Sequence, residues 1–375
     1  MNTISKKNVF LKGNNWFYLF YLVAIVMFML SRSVFNINLK IGYATIFILF
    51  FLSLILNKTN GKELLLLLVF LFVSYTTGNI ECLCMLLLIF AMRKFPVATN
   101  IKYIIMTIFC FLVLIYLCTV FNIIPNLVYY RENAVRYAMG MQFPLVFSGY
   151  VFYGCVYLAL YYYKMSPLKV FSILILLVVL LDRTTNSRND ELCIILLAII
   201  VLLNKASISV KKSIFSVASG LTALLIIVSM FVTKLIPYKS NIYTSLDMLF
   251  SGRLNLQYAL FERYTPRLFG QYIPQRGWQN LLNFNDYFYI DNSYLRILFM
   301  DGAIFFFCLL IVICFKLRDL WRKKLFIVGM ILLVVLLNAI TSDTFSTLTQ
   351  NVIILPLFFV NYESTQYNKN MRLVE

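Results

Sequence analysis

Residues 101–123 read IKYIIMTIFCFLVLIYLCTVFNI, a run whose only charge is Lys102, near its first end. As an α-helix it rises 1.5 Å per residue and spans about 34 Å, enough to cross a hydrocarbon core of roughly 30 Å. Water is absent from that core, so backbone N–H and C=O groups must be satisfied within the segment, and a helix does this. Similar runs recur at about 15–31, 41–56, 63–77, 80–92, 145–162, 168–181, 191–204, 214–235, 294–315, 324–340 and 347–360. The 375 residues are 62% hydrophobic and only 13% charged, too few polar groups to clothe a soluble globule. The expected fold class is an all-α integral membrane protein of about twelve transmembrane helices. It forms one domain over residues 1–375, with one large extracytoplasmic loop at 236–293.

Charge orients the runs. Lys6, Lys7 and Lys12 precede the first, and no small-x-small cleavage pattern follows it, so it reads as an uncleaved span with the N-terminus inside. Alternating from there puts 16 Lys, 4 Arg and 4 acidic residues inside, and 3 Lys, 10 Arg and 11 acidic residues outside. Nearly all of the formal +18 is thus positive-inside bias, with both termini cytoplasmic. Topology and anionic lipid headgroups account for the charge, and no nucleic acid partner is needed. The chain has no histidine, which removes histidine bases and ligands, and its eight cysteines lie in or beside apolar runs, where they act as small hydrophobes. No dense carboxylate cluster accompanies Asp286 and Asp291, so neither a metal nor another cofactor is expected.

The outward basic residues are mostly arginine: Arg32, Arg131, Arg136, Arg183, Arg188, Arg253, Arg263, Arg267, Arg276 and Arg296. The positive-inside rule penalises both cations and does not explain this choice. Arginine differs by its planar fork of donors, which matches phosphate and carboxylate bidentately. Either each pairs with a nearby carboxylate, or the set binds an anionic ligand on the outer face.

Two segments read as helix starts. Ser187-x-x-Asp190 has capping-box spacing, and Ser251-Gly252-Arg253 opens an amphipathic stretch through Leu254, Leu256, Tyr258, Leu260 and Phe261. Arg188 and Arg253 then occupy first turns, where a cation opposes the helix dipole unless an anion is shared or a local acid pairs with it, as Glu191 with Arg188 or Glu132 with Arg136. Asp291 precedes the run 294–315; it is either an N-cap or a general base facing the arginines.

At these residues the chain resembles the Wzy-type polysaccharide polymerases and, more distantly, the O-antigen ligases. The matching elements are Arg131…Arg136…Gly140…Pro144, Thr185-Asn186-Ser187-Arg188, Ser251-Gly252-Arg253, Leu268-Phe269-Gly270, Asp291-Asn292-Ser293-Tyr294-Leu295 and Asp301-Gly302. Each is short; their order and common side make the match. The resemblance implies a GT-C-like membrane glycosyltransferase of the bacterial cytoplasmic membrane. Its substrates are undecaprenyl diphosphate-linked oligosaccharides, with a chain-length regulator and a flippase as companions. Asp291, Arg188 and Arg253 are then the expected catalytic residues. Arg131, Arg136, Arg183, Arg276, Asn292, Tyr294 and Arg296 are expected to bind diphosphate and sugar. Ligase relatives often carry His where this chain has Asp291.

A lipid-linked oligosaccharide flippase is the main rival, but transporters tend to show internal repeats and charged or broken helices, whereas polar residues here collect in outer segments. The orientation predicts that a cysteine at Asn186 reacts with an impermeant thiol reagent applied to intact spheroplasts while one at Ser207 does not. The reverse labelling would overturn it.

Overall fold

Every apolar run within the described residues is helical in the computed structural model, which describes residues 2–56, 80–92, 101–131, 134–276 and 287–359 with isolated positions between 61 and 78. The run 63–77 lies largely outside them. In chain order the helices are α1 (Asn2–Ser31), α2 (Leu39–Leu56), α3 (Ile80–Met92), α4 (Ile101–Val120), α5 (Pro144–Tyr162), α6 (Pro167–Thr184) and α7 (Arg188–Leu202). There follow α8 (Ile208–Leu235), α9 (Asn241–Leu249), α10 (Arg253–Arg263), α11 (Ser293–Arg296), α12 (Ala303–Arg322), α13 (Phe326–Asn338) and α14 (Leu348–Phe359). A hairpin of β1 (Val128–Arg131) and β2 (Ala134–Tyr137) pairs Tyr129 with Arg136 between α4 and α5.

Among the described residues three helices are long and apolar enough to cross a membrane: α4, α5 and α8. Their neighbours determine how they differ. α5 is buried along almost its whole length against α4 and α7, whereas α8 exposes Val217, Leu221, Leu224 and Ile227. Apolar flanks of this extent belong against lipid rather than water. α13 packs on α7 and α8, and α14 on α1 and α3, so late elements close the bundle around early ones. Pro144 and Pro167 sit in the first turns of α5 and α6, where a missing N–H costs nothing.

Pro356 lies inside α14, and lacking an N–H it leaves the carbonyl four residues earlier, Val352 O, without its helical donor. Tyr21 on α1 supplies the replacement, its hydroxyl donating to Val352 O at 2.8 Å, while Tyr157 on α5 donates to Ile353 O at 2.6 Å. Both tyrosines are fully buried. The two bonds join three helices at the point where one is interrupted.

The run 294–315, expected as a single span, is broken. α11 passes into a π-helical turn, Ile297–Asp301, and stops at Gly302, whose φ is 100°. The cause is a backbone contact: a Cβ on Gly302 would stand 2.4 Å from Gly270 N, and one on Gly270 (φ 80°) would stand 2.2 Å from Met300 O. The two glycines let the turn at 267–271 lie on the start of α12. There Ala303 N donates to Arg267 O (3.0 Å), Ile304 N to Leu268 O (3.2 Å) and Gln271 N to Met300 O (3.2 Å). The stretch 236–293 likewise is more than loop, since it contains α9 and α10.

Gly302→Ala and Gly270→Ala should each destabilise the protein by at least about 1–3 kcal/mol from backbone strain alone. Tyr21→Phe should cost about 1–3 kcal/mol by orphaning Val352 O. Thermal unfolding in detergent checks all three; wild-type melting of the glycine variants would show that the contact is not tight.

Candidate functional site

The turn after α13 organises the polar residues. Asn338, fully buried at its start, donates through Nδ2 to Asp190 Oδ1 at 2.7 Å and accepts through Oδ1 from Thr344 Oγ1 at 3.3 Å. Its carbonyl takes Asn189 Nδ2 at 3.3 Å. Ser148 donates to the other Asp190 oxygen at 2.5 Å, and Tyr153 bonds Thr344 Oγ1 at 2.6 Å. α5, α7 and α13 are therefore joined by a buried network in which each polar group finds a partner.

That turn presents its carbonyls to the two segments that carry the arginines. Ser342 O accepts from Ser293 Oγ at 2.5 Å, and Phe345 N donates back to Ser293 Oγ at 3.2 Å. Thr341 O accepts from Arg253 Nη1 at 2.6 Å. Arg253 Nε meanwhile stands 3.4 Å from Asp291 Oδ2, an ion pair with side chains 27% and 21% exposed. Nη2 of Arg253 has no protein partner among the described residues, and neither has the buried Thr341 Oγ1. Burial pushes the Asp291 carboxyl above its usual range; the Arg253 charge opposes this, and Asp343 adds to it.

Arg253, Asp291, Asn292 and Thr341 share a cavity of about 330 Å³ with an apolar wall. α8 contributes Leu225, Val228 and Val232, and α9 and α10 contribute Leu246, Leu254 and Leu256. Gln257 Nε2 holds the carbonyls of Ser229 and Met230 at 3.0 and 2.9 Å, fixing α10 against α8 beside it.

A second ion pair lies on the other side of Ser293. Arg296 Nη1 is 3.4 Å from Asp343 Oδ2, its guanidinium lies 5.3 Å from the Tyr289 ring centroid, and the Tyr289 hydroxyl donates to the same Asp343 oxygen. Glu81 adds to the electrostatic field at Arg296 and bonds the Tyr43 hydroxyl at 3.5 Å.

The expected residues separate into groups. Arg253, Asp291, Asn292 and Arg296 come together. Asn292, not Asp291, caps α11: its Oδ1 accepts from Tyr294 N at 2.9 Å and Leu295 N at 3.1 Å. The reading of Asp291 as an N-cap is thereby corrected, because Asp291 is turned to Arg253. Tyr294 is buried and donates to Leu336 O at 2.8 Å. Arg136 is buried and reaches Thr185 O at 2.7 Å, with Ser187 Oγ 3.5 Å away, so β2 is tied to the turn before α7. The expected capping box does not form, since Ser187 makes no side-chain cap and Asp190 is engaged by Ser148 and Asn338.

Arg183 and Arg188 are exposed near that turn, and no described residue forms an ion pair with either. Arg276 is exposed and bridges Phe288 through its backbone. Arg131 ends β1, and Glu132 lies outside the described residues. Among the described residues no three His, Cys, Asp or Glu side chains converge as metal ligands.

Sequence reasoning passed over Tyr289, Tyr43, Glu81 and Asn338. The aromatic run Tyr287-Phe288-Tyr289 before Asp291, and an acid at the head of the apolar run from Ile80, were the available signals. No family model matches the chain, and no curated protein or solved structure is significantly similar to it.

The capping assignment predicts that Asn292→Ala lowers stability by about 1 kcal/mol, whereas Asp291→Asn leaves the cap intact. Comparing the two melting temperatures decides it. A larger loss in Asp291→Asn than in Asn292→Ala would restore Asp291 as the structural residue.

Proposed function

We propose that this protein is a polysaccharide polymerase. It joins undecaprenyl diphosphate-linked oligosaccharide repeat units on the outer face of the bacterial cytoplasmic membrane, within a twelve-span bundle whose termini are cytoplasmic. The observation that carries the reading is the cavity in which one arginine donor, one carboxylate and one unpaired hydroxyl stand beside an apolar wall. A lipid diphosphate sugar has the same three parts: a hydrocarbon tail, an anion and a sugar. The sequence resemblance supplies the particular carrier and reaction.

In this mechanism Asp291 accepts the proton of an acceptor hydroxyl as its oxygen attacks the anomeric carbon. The bond from that carbon to the diphosphate oxygen breaks, and the diphosphate leaves with the electron pair. Negative charge grows on the leaving group, so a prearranged Arg253 Nη2 stabilises the transition state more than the bound substrate. Leu225, Val228 and Val232 accept the first part of the lipid. Raising the Asp291 carboxyl by burial makes the carboxylate a stronger base once deprotonated, and the Arg253 charge favours that deprotonated form.

Polymerisation of purified lipid-linked repeats tests the proposal. Asp291→Asn should lower turnover by about 10²–10⁴-fold with unchanged melting temperature, and Arg253→Lys, which keeps charge but loses the fork, should also be strongly impaired. Translocation of single repeats without lengthening would identify a flippase instead, and near-normal turnover in Asp291→Asn would remove the base.

The pH profile gives an independent check. A base works when deprotonated, so rate rises with pH through its pKa. Arg253 lowers that pKa, hence Arg253→Gln should move the rising limb to higher pH, and an unmoved limb would show that the titrating group is not Asp291.

A further inference from the structure

α10 separates two cavities. The first, at its N-terminal end, holds Arg253; the second opens beyond its C-terminal end, has a volume of about 520 Å³, and plays no part in the chemistry above. The described residues that line it are Arg263, Tyr264, Thr265, Arg267, Gly270, Gln271 and Tyr272, among them no aliphatic side chain and no carboxylate. This is the opposite of the apolar wall beside Asp291, and it is unsuited to a lipid tail.

We propose that this second cavity binds acidic saccharide, namely sugar residues bearing carboxylates, in the glycan that the first cavity handles. The ligand class follows from the donors. Arg263 and Arg267 line this open polar cavity, and neither has an ion-pair partner among the described residues. Guanidinium forks match carboxylates bidentately. Tyr272, 74% exposed, offers a flat aromatic face of the kind on which the C–H faces of sugar rings stack, while Tyr264 packs against Phe288 beside it.

The cavity is also held in shape. Arg263 lies 5.3 Å from the Phe288 ring centroid, Gln271 Nε2 donates to Thr265 O at 2.6 Å, and the backbone at Arg267, Leu268 and Gln271 is bonded to the start of α12 across the Gly270–Gly302 contact. Preorganised donors lose little freedom when a ligand arrives. An eleven-residue α10 places its two ends about 15 Å apart, so an oligosaccharide reaching from one cavity to the other spans several sugars.

The inference rests on the polymerase reading only for the source of the glycan, and binding is measurable without any polymerisation. The full-length protein in phosphatidylcholine nanodiscs would be titrated with galacturonic acid oligomers and, separately, with neutral maltooligosaccharides of equal length. The acidic oligomers should bind and the neutral ones bind at least about 10-fold more weakly. Arg263→Gln and Arg267→Gln should each weaken acidic binding about 10-fold or more. Lysine at either position should give an intermediate affinity, and Lys239→Gln, an exposed charge outside the cavity, should change nothing.

Asp291→Asn should bind like wild type even where it no longer polymerises, so a failed polymerase reading leaves this result unaffected. Equal affinity for acidic and neutral oligomers, no binding of either, or unaltered binding in both glutamine variants would overturn the proposal. So would loss of binding when phosphatidylglycerol replaces part of the nanodisc lipid, because the arginines would then be occupied by headgroups. Matching melting temperatures exclude misfolding as the cause of a lost affinity, and the lysine variants answer the question if a glutamine variant fails to fold.

Discussion

Asn338 is a neutral amide with no access to solvent, and an amide in that position is tolerated only when its donors and acceptors are met. Meeting them fixes two things at once, the Asp190 carboxylate at the start of α7 and the Thr344 hydroxyl in the following turn, while Asn189 holds the backbone carbonyl of the same residue. The turn so fixed has its Thr341 and Ser342 carbonyls directed at Arg253 and Ser293. The Arg253–Asp291 geometry thus depends on a buried hydrogen-bond network in the bundle as well as on Gln257, which holds α10 against α8. A partly satisfied network would be worse than an apolar one, so its members act as a unit.

The division of labour among arginines follows from the same logic. Arg136 is buried and held by Thr185 O, so its donors serve to join the hairpin to α7. Arg296 is matched by Asp343 and stacked on Tyr289. Arg253 is matched only in part. One guanidinium nitrogen is held by a carbonyl, a second is near a carboxylate, and the third lacks a partner among the described residues, which combines fixed orientation with spare binding capacity.

Helix positions were readable because the apolar runs are long and nearly free of charge; α4, from Ile101 to Val120, falls within residues 101–123. Breaks inside runs were not. Gly302 was noted as a motif, but hydropathy is blind to φ, and only the approach of Gly270 explains why the helix stops there. The site was legible where local spacing matters: Arg253 does open a helix after a left-handed Gly252. It was illegible where partners come from afar, as with Asn338 and Asp190, separated by 148 residues. Adjacent candidates for one role also cannot be ranked from spacing. Asp291 and Asn292 both suit a cap, and the choice of Asn292 depends on Arg253, which only the fold brings near.

The backbone contact between Gly270 and Gly302 makes the segment bearing Arg267 an extension of α12 rather than an independent loop. α12 exposes Ile304, Phe307, Ile311 and Phe315 along its length, an apolar flank of the kind that belongs against lipid rather than water. The position of Arg267 is consequently tied to that of this apolar flank.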